Sequence, residues 1–114
     1  MEQITEIKLS HHAKKRMKER CGLNKKAAER LAIIAFTQGL THAELRGRVK
    51  RYVDYLYLKE QRANAIKIYG NEIFLFRGNM LITVLDLPSR FTRSVQQLSK
   101  KRHSEQEKKR MIDD

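Results

Sequence analysis

The sequence predicts an α+β fold in which about three N-terminal helices pack on a small antiparallel sheet, followed by a basic C-terminal tail. Three observations lead to it. Residues 65–88, AIKIYGNEIFLFRGNMLITVLDLP, hold three short runs rich in β-branched and aromatic residues, broken at Gly70-Asn71 and at Arg77-Gly78-Asn79, which is the punctuation of a three-stranded meander. The second and third runs are apolar on both alternating faces, as in Ile73-Phe74-Leu75-Phe76, so the sheet needs cover on both sides. That cover has to come from the upstream segments, where apolar residues recur at helical spacing, or from the tail.

Taken in order, Ile4, Ile7 and Leu9 alternate with polar residues and fit a short edge strand that joins the meander. Ser10 offers a hydroxyl N-cap to a first helix that carries Ala13, Met17 and Cys21 on one stripe and ends at Gly22. Asn24 caps a second helix with Ala28, Leu31, Ala32, Ala35 and Phe36 inward, and Gly39 stops it. Thr41-His42-Ala43-Glu44 has capping-box spacing and predicts a third helix, carrying Leu45, Val49, Tyr52, Val53 and Leu56 to about Glu60 and passing through Gly47. Pro88, without an amide hydrogen, closes the last strand. Residues 1–88 form the expected domain and 89–114 the tail, in which Phe91, Val95 and Leu98 keep helical spacing; beyond about Lys100 disorder or an isolated charged helix is expected.

A chain of 114 residues buries one modest core. Its net charge of +12 avoids the sheet: residues 8–30 contribute +7, 41–62 contribute +3, 89–114 contribute +4, and 63–88 contribute nothing. Cations concentrated on helices and tail mark a polyanion binder, with RNA or another nucleic acid as the expected partner. The expected contacts are Lys14, Lys15 and Lys18 on the first helix, Arg46, Arg48, Lys50 and Arg51 on the third, and Lys100, Lys101 and Arg102 in the tail. A lone Cys21 permits no intramolecular disulfide and agrees with a reducing cytoplasm, where a buried apolar role is expected for it. No run approaches the roughly 18 apolar residues of a membrane span, and the acidic, polar N-terminus is unlike a signal peptide.

His12, Arg16 and Arg20 stand at i, i+4 and i+8 on the first helix and form one row beside its apolar stripe. Such a row suits phosphodiester cleavage, since an imidazole moves a proton near neutral pH and guanidinium groups hold the more negative transition state. An exposed row that makes only salt bridges or phosphate contacts is the other reading. Alternation also allows Tyr69 and Thr83 to share a sheet face. No metal and no cofactor is expected, because the adjacent His11 and His12 diverge on a helix and the carboxylates are scattered.

The pattern His12-Ala13-x-x-Arg16-x-x-x-Arg20, with Ile82-Thr83-Val84 in the last strand and the order strand, helices, meander, resembles the small DUF4258-type members of the RelE-like ribonuclease-toxin superfamily over residues 8–88. It also resembles uncharacterised small proteins from mobile elements of Gram-positive bacteria. The first resemblance implies metal-independent RNA cleavage checked by an acidic antitoxin, with His12, Arg16, Arg20, Tyr69 and Thr83 as the catalytic set. The chain departs from that pattern in its long third helix and basic tail. Two other functions stay open. Ala35, Gly39 and Leu45 have helix-turn-helix spacing that would aim Thr41, His42, Glu44, Arg46 and Arg48 at a major groove, with the meander as a wing. A phage or plasmid factor that blocks a nucleoprotein complex without catalysis is the other.

Overall fold

The computed structural model describes residues 6–112, with side chains described to residue 104; the Ile4 end of the predicted first strand lies outside them. The elements run β1 (Lys8–Leu9), α1 (His11–Cys21), α2 (Lys25–Gln38), a 3-10 turn (His42–Glu44), α3 (Gly47–Lys59), β2 (Ala65–Tyr69), β3 (Glu72–Arg77), β4 (Met80–Asp86), a second 3-10 turn (Ser89–Phe91) and α4 (Thr92–Ile112). The fold is α+β, as the sequence predicts. No described helix is long and apolar enough to cross a membrane.

The meander forms where expected, with β3 central, and the sheet order is β1-β4-β3-β2. The N-terminal strand does join it, but parallel to β4, which makes the sheet mixed. Ser10 fixes that junction. Its amide donates to the Leu81 carbonyl at 3.0 Å, its hydroxyl donates to the Ile82 carbonyl at 2.7 Å, and its oxygen accepts the Ala13 amide at 3.0 Å. One residue therefore caps α1 and ties it to β4.

Helices cover both faces. On one, Ala13 and Met17 of α1 and Ala28, Ala32 and Ala35 of α2 pack with Phe74, Phe76, Leu81 and Val84. Small alanines let α2 lie close to the two rings. On the other, Val49, Val53 and Leu56 of α3 and Phe91 and Val95 of the following segment pack with Ile66, Ile68, Ile73 and Leu75. The segment after Pro88 thus begins inside the core, and the expected break at residue 88 is not a boundary. Past Lys100 the chain continues as helix to Ile112.

Two local predictions are corrected. Leu75 pairs with Thr83 but Phe76 pairs with Leu81, so Ile82 is an extra residue in β4. This bulge breaks the alternation and sends Leu81 and Val84 to one core, Ile82 and Leu85 to the other. The predicted third helix is divided. Glu44 does reach back to the Thr41 amide at 2.9 Å, but that turn closes after one 3-10 unit. Leu45 and Arg46 are extended, and Gly47 has φ +61°, so α3 starts afresh there.

Gly39 is required for packing rather than for its φ. Leu40 bridges to Ile68 through two backbone hydrogen bonds of 2.8 and 3.1 Å, which presses the end of α2 onto β2. A Cβ at position 39 would lie 2.4 Å from the Ala35 carbonyl oxygen and 2.9 Å from Lys67 Cβ. Gly39→Ala is expected to lower stability by about 1–3 kcal/mol. A urea midpoint that falls with an unchanged m-value would agree, and an unmoved midpoint would contradict it.

Candidate nucleic-acid interface

The buried stripe of α1 aims Lys14, Lys15 and Lys18 outward, and all three are exposed. Lys14, Lys18 and Lys25 rim a shallow groove of about 360 Å³ between α1 and α2, floored by Leu23 and Ala28. Lys25 was not among the residues expected from the sequence. It closes the basic surface only because α2 folds back across α1.

The five residues of the catalytic set do not come together. Arg16 Nε donates to His12 Nε2 at 3.5 Å, so those two remain a pair on the exposed side of α1. Arg20, two turns on, forms an ion pair with Asp86 at the end of β4, which also raises its pKa, chiefly through that hydrogen bond. Tyr69 pairs across the sheet with Glu72, and Glu72 with Asp86, on the α1/α2 side. Thr83 pairs with Leu75 and so faces the α3/α4 side, where it is buried and its hydroxyl has no hydrogen-bond partner among the described residues. Tyr69 and Thr83 therefore lie on opposite faces, which corrects the shared face that alternation suggested. The Ile82 bulge is part of the reason, because alternation cannot be counted through it.

Beside Arg20, the Cys21 thiol donates to Glu72 Oε1 at 3.2 Å. Burial, then the Glu72 carboxylate, pushes its pKa up to about 11. A cysteine in that state is a poor nucleophile. Among the described residues no three His, Cys, Asp or Glu side chains gather as a metal site.

The helix-turn-helix geometry is not formed. His42 and Glu44 sit on the 3-10 turn and Arg48 on α3, with extended residues between, so they share no recognition helix. His42 instead pairs with Asp54 and packs its ring edge-on against Tyr57.

A second basic surface lies across the sheet from α1. Arg46, Arg48, Arg90 and Lys101 surround a groove of about 520 Å³ between the start of α3 and α4, with Phe91, Ser94, Gln97 and Leu98 as its other walls. Among the described residues no carboxylate lines it. Arg46 Nη1 donates to the Leu45 and Ala43 carbonyls at 3.1 and 3.3 Å, which holds its guanidinium at the rim. Arg90 stacks over the Phe91 ring at 4.5 Å and the Tyr52 ring at 5.6 Å. Such stacking orients a guanidinium and leaves its N–H edge free for phosphate. Arg90 also escaped sequence reading, since Tyr52 is remote in the chain and only the docking of Phe91 brings them together. Arg51, Tyr55 and Leu58 follow along the outer side of α3, with Tyr55 52% and Leu58 76% exposed. Lys50 is half-buried and Lys100 exposed. Arg102 is committed elsewhere, donating to the Gln38 carbonyl at 2.7 Å and pairing with Glu44 at 3.4 Å.

No protein-family model, curated protein or solved structure matches this chain.

Thr83→Val replaces a buried hydroxyl without a described partner by a methyl group of the same shape. Stability is expected to rise by about 1 kcal/mol, read from urea unfolding; a loss of that size would mean the hydroxyl is bonded. Cys21 gives a pH test. Its raised pKa favours the neutral thiol, so its contribution to stability is present below the ordinary thiol range and is lost as pH climbs toward 11. Iodoacetamide at pH 8 should alkylate the native protein far more slowly than the urea-unfolded chain, and equal rates would contradict the assignment.

Proposed function

We propose that this protein binds single-stranded RNA through its exposed cations and does not cleave it. One observation carries the reading: among the described residues, Arg20 and Arg102 are the only Lys or Arg side chains in ion pairs, in a chain of net charge +12. Cations left without acidic partners cost self-repulsion in the free protein and are relieved by a polyanion, whose condensed counterions are released on binding. The groove ringed by Arg46, Arg48, Arg90 and Lys101 follows a phosphate backbone, and Tyr55 beside Arg51 offers an exposed ring on which an unpaired base stacks. A duplex would leave that ring unused, which favours the single strand.

The reading without cleavage is supported by the separation of the catalytic set. The Arg20 charge is held by Asp86 and Thr83 is sealed in the opposite core, so the His12–Arg16 pair stands without the groups that would complete phosphodiester hydrolysis. Blocking a nucleoprotein complex is compatible with the same surface, since an RNA-binding chain of this kind competes for exposed strands.

With four phosphates held in the groove, affinity for a labelled poly(U) oligonucleotide should fall about fifty-fold between roughly 50 and 200 mM salt. Arg48→Glu with Arg90→Glu should weaken binding by more than about tenfold at the lower salt, each reversal removing a phosphate contact and adding a repulsive one. Fluorescence anisotropy reads both quantities, and affinity indifferent to salt would overturn the proposal. Incubation of the same RNA in a chelator completes the test. Intact RNA with wild type and with His12→Ala agrees with binding alone, whereas cleavage by wild type that His12→Ala abolishes would restore the ribonuclease reading.

A further inference from the structure

The two basic surfaces stand back to back, and a second activity follows from that arrangement. It rests on the RNA-binding reading above. We propose that one molecule holds two RNA segments at once, one on the α1/α2 face and one on the α3/α4 face, and so bridges them.

Helix burial fixes the directions. Ala13 and Met17 are sealed against Phe74, Phe76, Leu81 and Val84, so Lys14, Lys15 and Lys18 project away from that side of the sheet. Val49, Val53 and Phe91 are sealed against Ile66, Ile68, Ile73 and Leu75, so Arg48, Arg90 and Lys101 project away from the other. Between the two sets lie two helical layers and a sheet. The molecule's smallest extent is 27 Å, roughly three Debye lengths at physiological ionic strength, where that length is about 8 Å. Neutralising one face with phosphate therefore leaves the attraction of the other almost intact.

A single strand wrapped around the molecule would have to cross sheet margins where the cations are few or already paired. The sheet segment, residues 63–88, carries no net charge. At the end of the sheet nearest Arg20, Asp86 takes up that guanidinium, and Glu72 lies beside it with one carboxylate oxygen bonded to Cys21 and the other buried without a described partner. At the edge next to β2, Arg102 is occupied by Glu44 and the Gln38 carbonyl. At these two margins the cations are spent or absent, whereas isolated exposed cations remain at the others, Lys8 on β1 and Arg77 at the β3–β4 turn; the clustered cations are the two sets on the helical layers.

Bridging is tested with biotinylated poly(U) on beads and fluorescent poly(U) in solution, two strands that do not pair with each other. Wild-type protein is expected to capture the fluorescent strand, with capture rising and then falling as protein is added, because excess protein fills each strand separately. Lys14→Glu/Lys15→Glu/Lys18→Glu removes one face and Arg48→Glu/Arg90→Glu/Lys101→Glu the other. Each variant should still bind fluorescent poly(U) in solution at low salt through its remaining face, the Arg48→Glu/Arg90→Glu/Lys101→Glu variant at the more than about tenfold lower affinity expected above, which shows that it is folded, while capture drops to the level without protein. Capture by either variant at the wild-type level would overturn the proposal, since one face, or self-association through one face, would then suffice. Wild type that binds in solution but captures nothing would overturn it as well. If wild type fails to bind poly(U) at all, the RNA-binding reading falls and this one falls with it.

Discussion

Everything in this molecule depends on β3 being apolar on both sides. Ile73, Phe74, Leu75 and Phe76 are all buried, the first and third toward α3 and the second and fourth toward α1 and α2. Losing one such ring costs about 3–5 kcal/mol, which is comparable with the whole stability of a small domain at about 5–15 kcal/mol. Neither face can be left to water. The chain therefore spends its three upstream helices and the start of α4 as cover, and the residues those helices cannot bury are forced outward on two opposite sides. Because those residues include many Lys and Arg and few carboxylates, covering the sheet also creates the two basic surfaces.

Much of this was legible because it rests on local chemistry. The turns at Gly70-Asn71 and Gly78-Asn79, the caps at Ser10 and Asn24, and the apolar stripes of α1 and α2 are set by residues close in sequence, and each forms as predicted. What escaped depends on distant partners. The Ile82 bulge is decided by how β3 and β4 fit between two helical layers, and no residue in LITVL announces it. The capping box at Thr41 is real, but Leu45, buried at 1% exposure, is pulled into the core by tertiary packing and Gly47 supplies the turn that allows it. Leu45 read as helix because its spacing fitted one.

The candidate site shows the same division. Exposed lysines on α1 were readable from the 3.6-residue period, since they stand opposite Ala13 and Met17. The groove at Arg46, Arg48, Arg90 and Lys101 was only half readable, because its walls come from two helices whose docking is set by Phe91 and Val95. The row His12, Arg16, Arg20 was correct as a row, yet a row does not disclose partners. Arg20 reaches Asp86, sixty-six positions further along the chain, and Thr83 turns away from Tyr69 across the bulge. A motif of a few residues thus survives folding as geometry on one helix while the wider constellation it suggests does not assemble.

The central claim is that covering a doubly apolar sheet leaves outward cations on both helical layers and that RNA is what meets them. The most direct measurement is a map of amide chemical shifts in the isotope-labelled protein as a short poly(U) oligonucleotide is added. The account predicts that amides of α1 and those around the α3–α4 groove move together with the titration while those of β3 stay fixed. Shifts concentrated on the sheet, or no shifts at low salt, would contradict it.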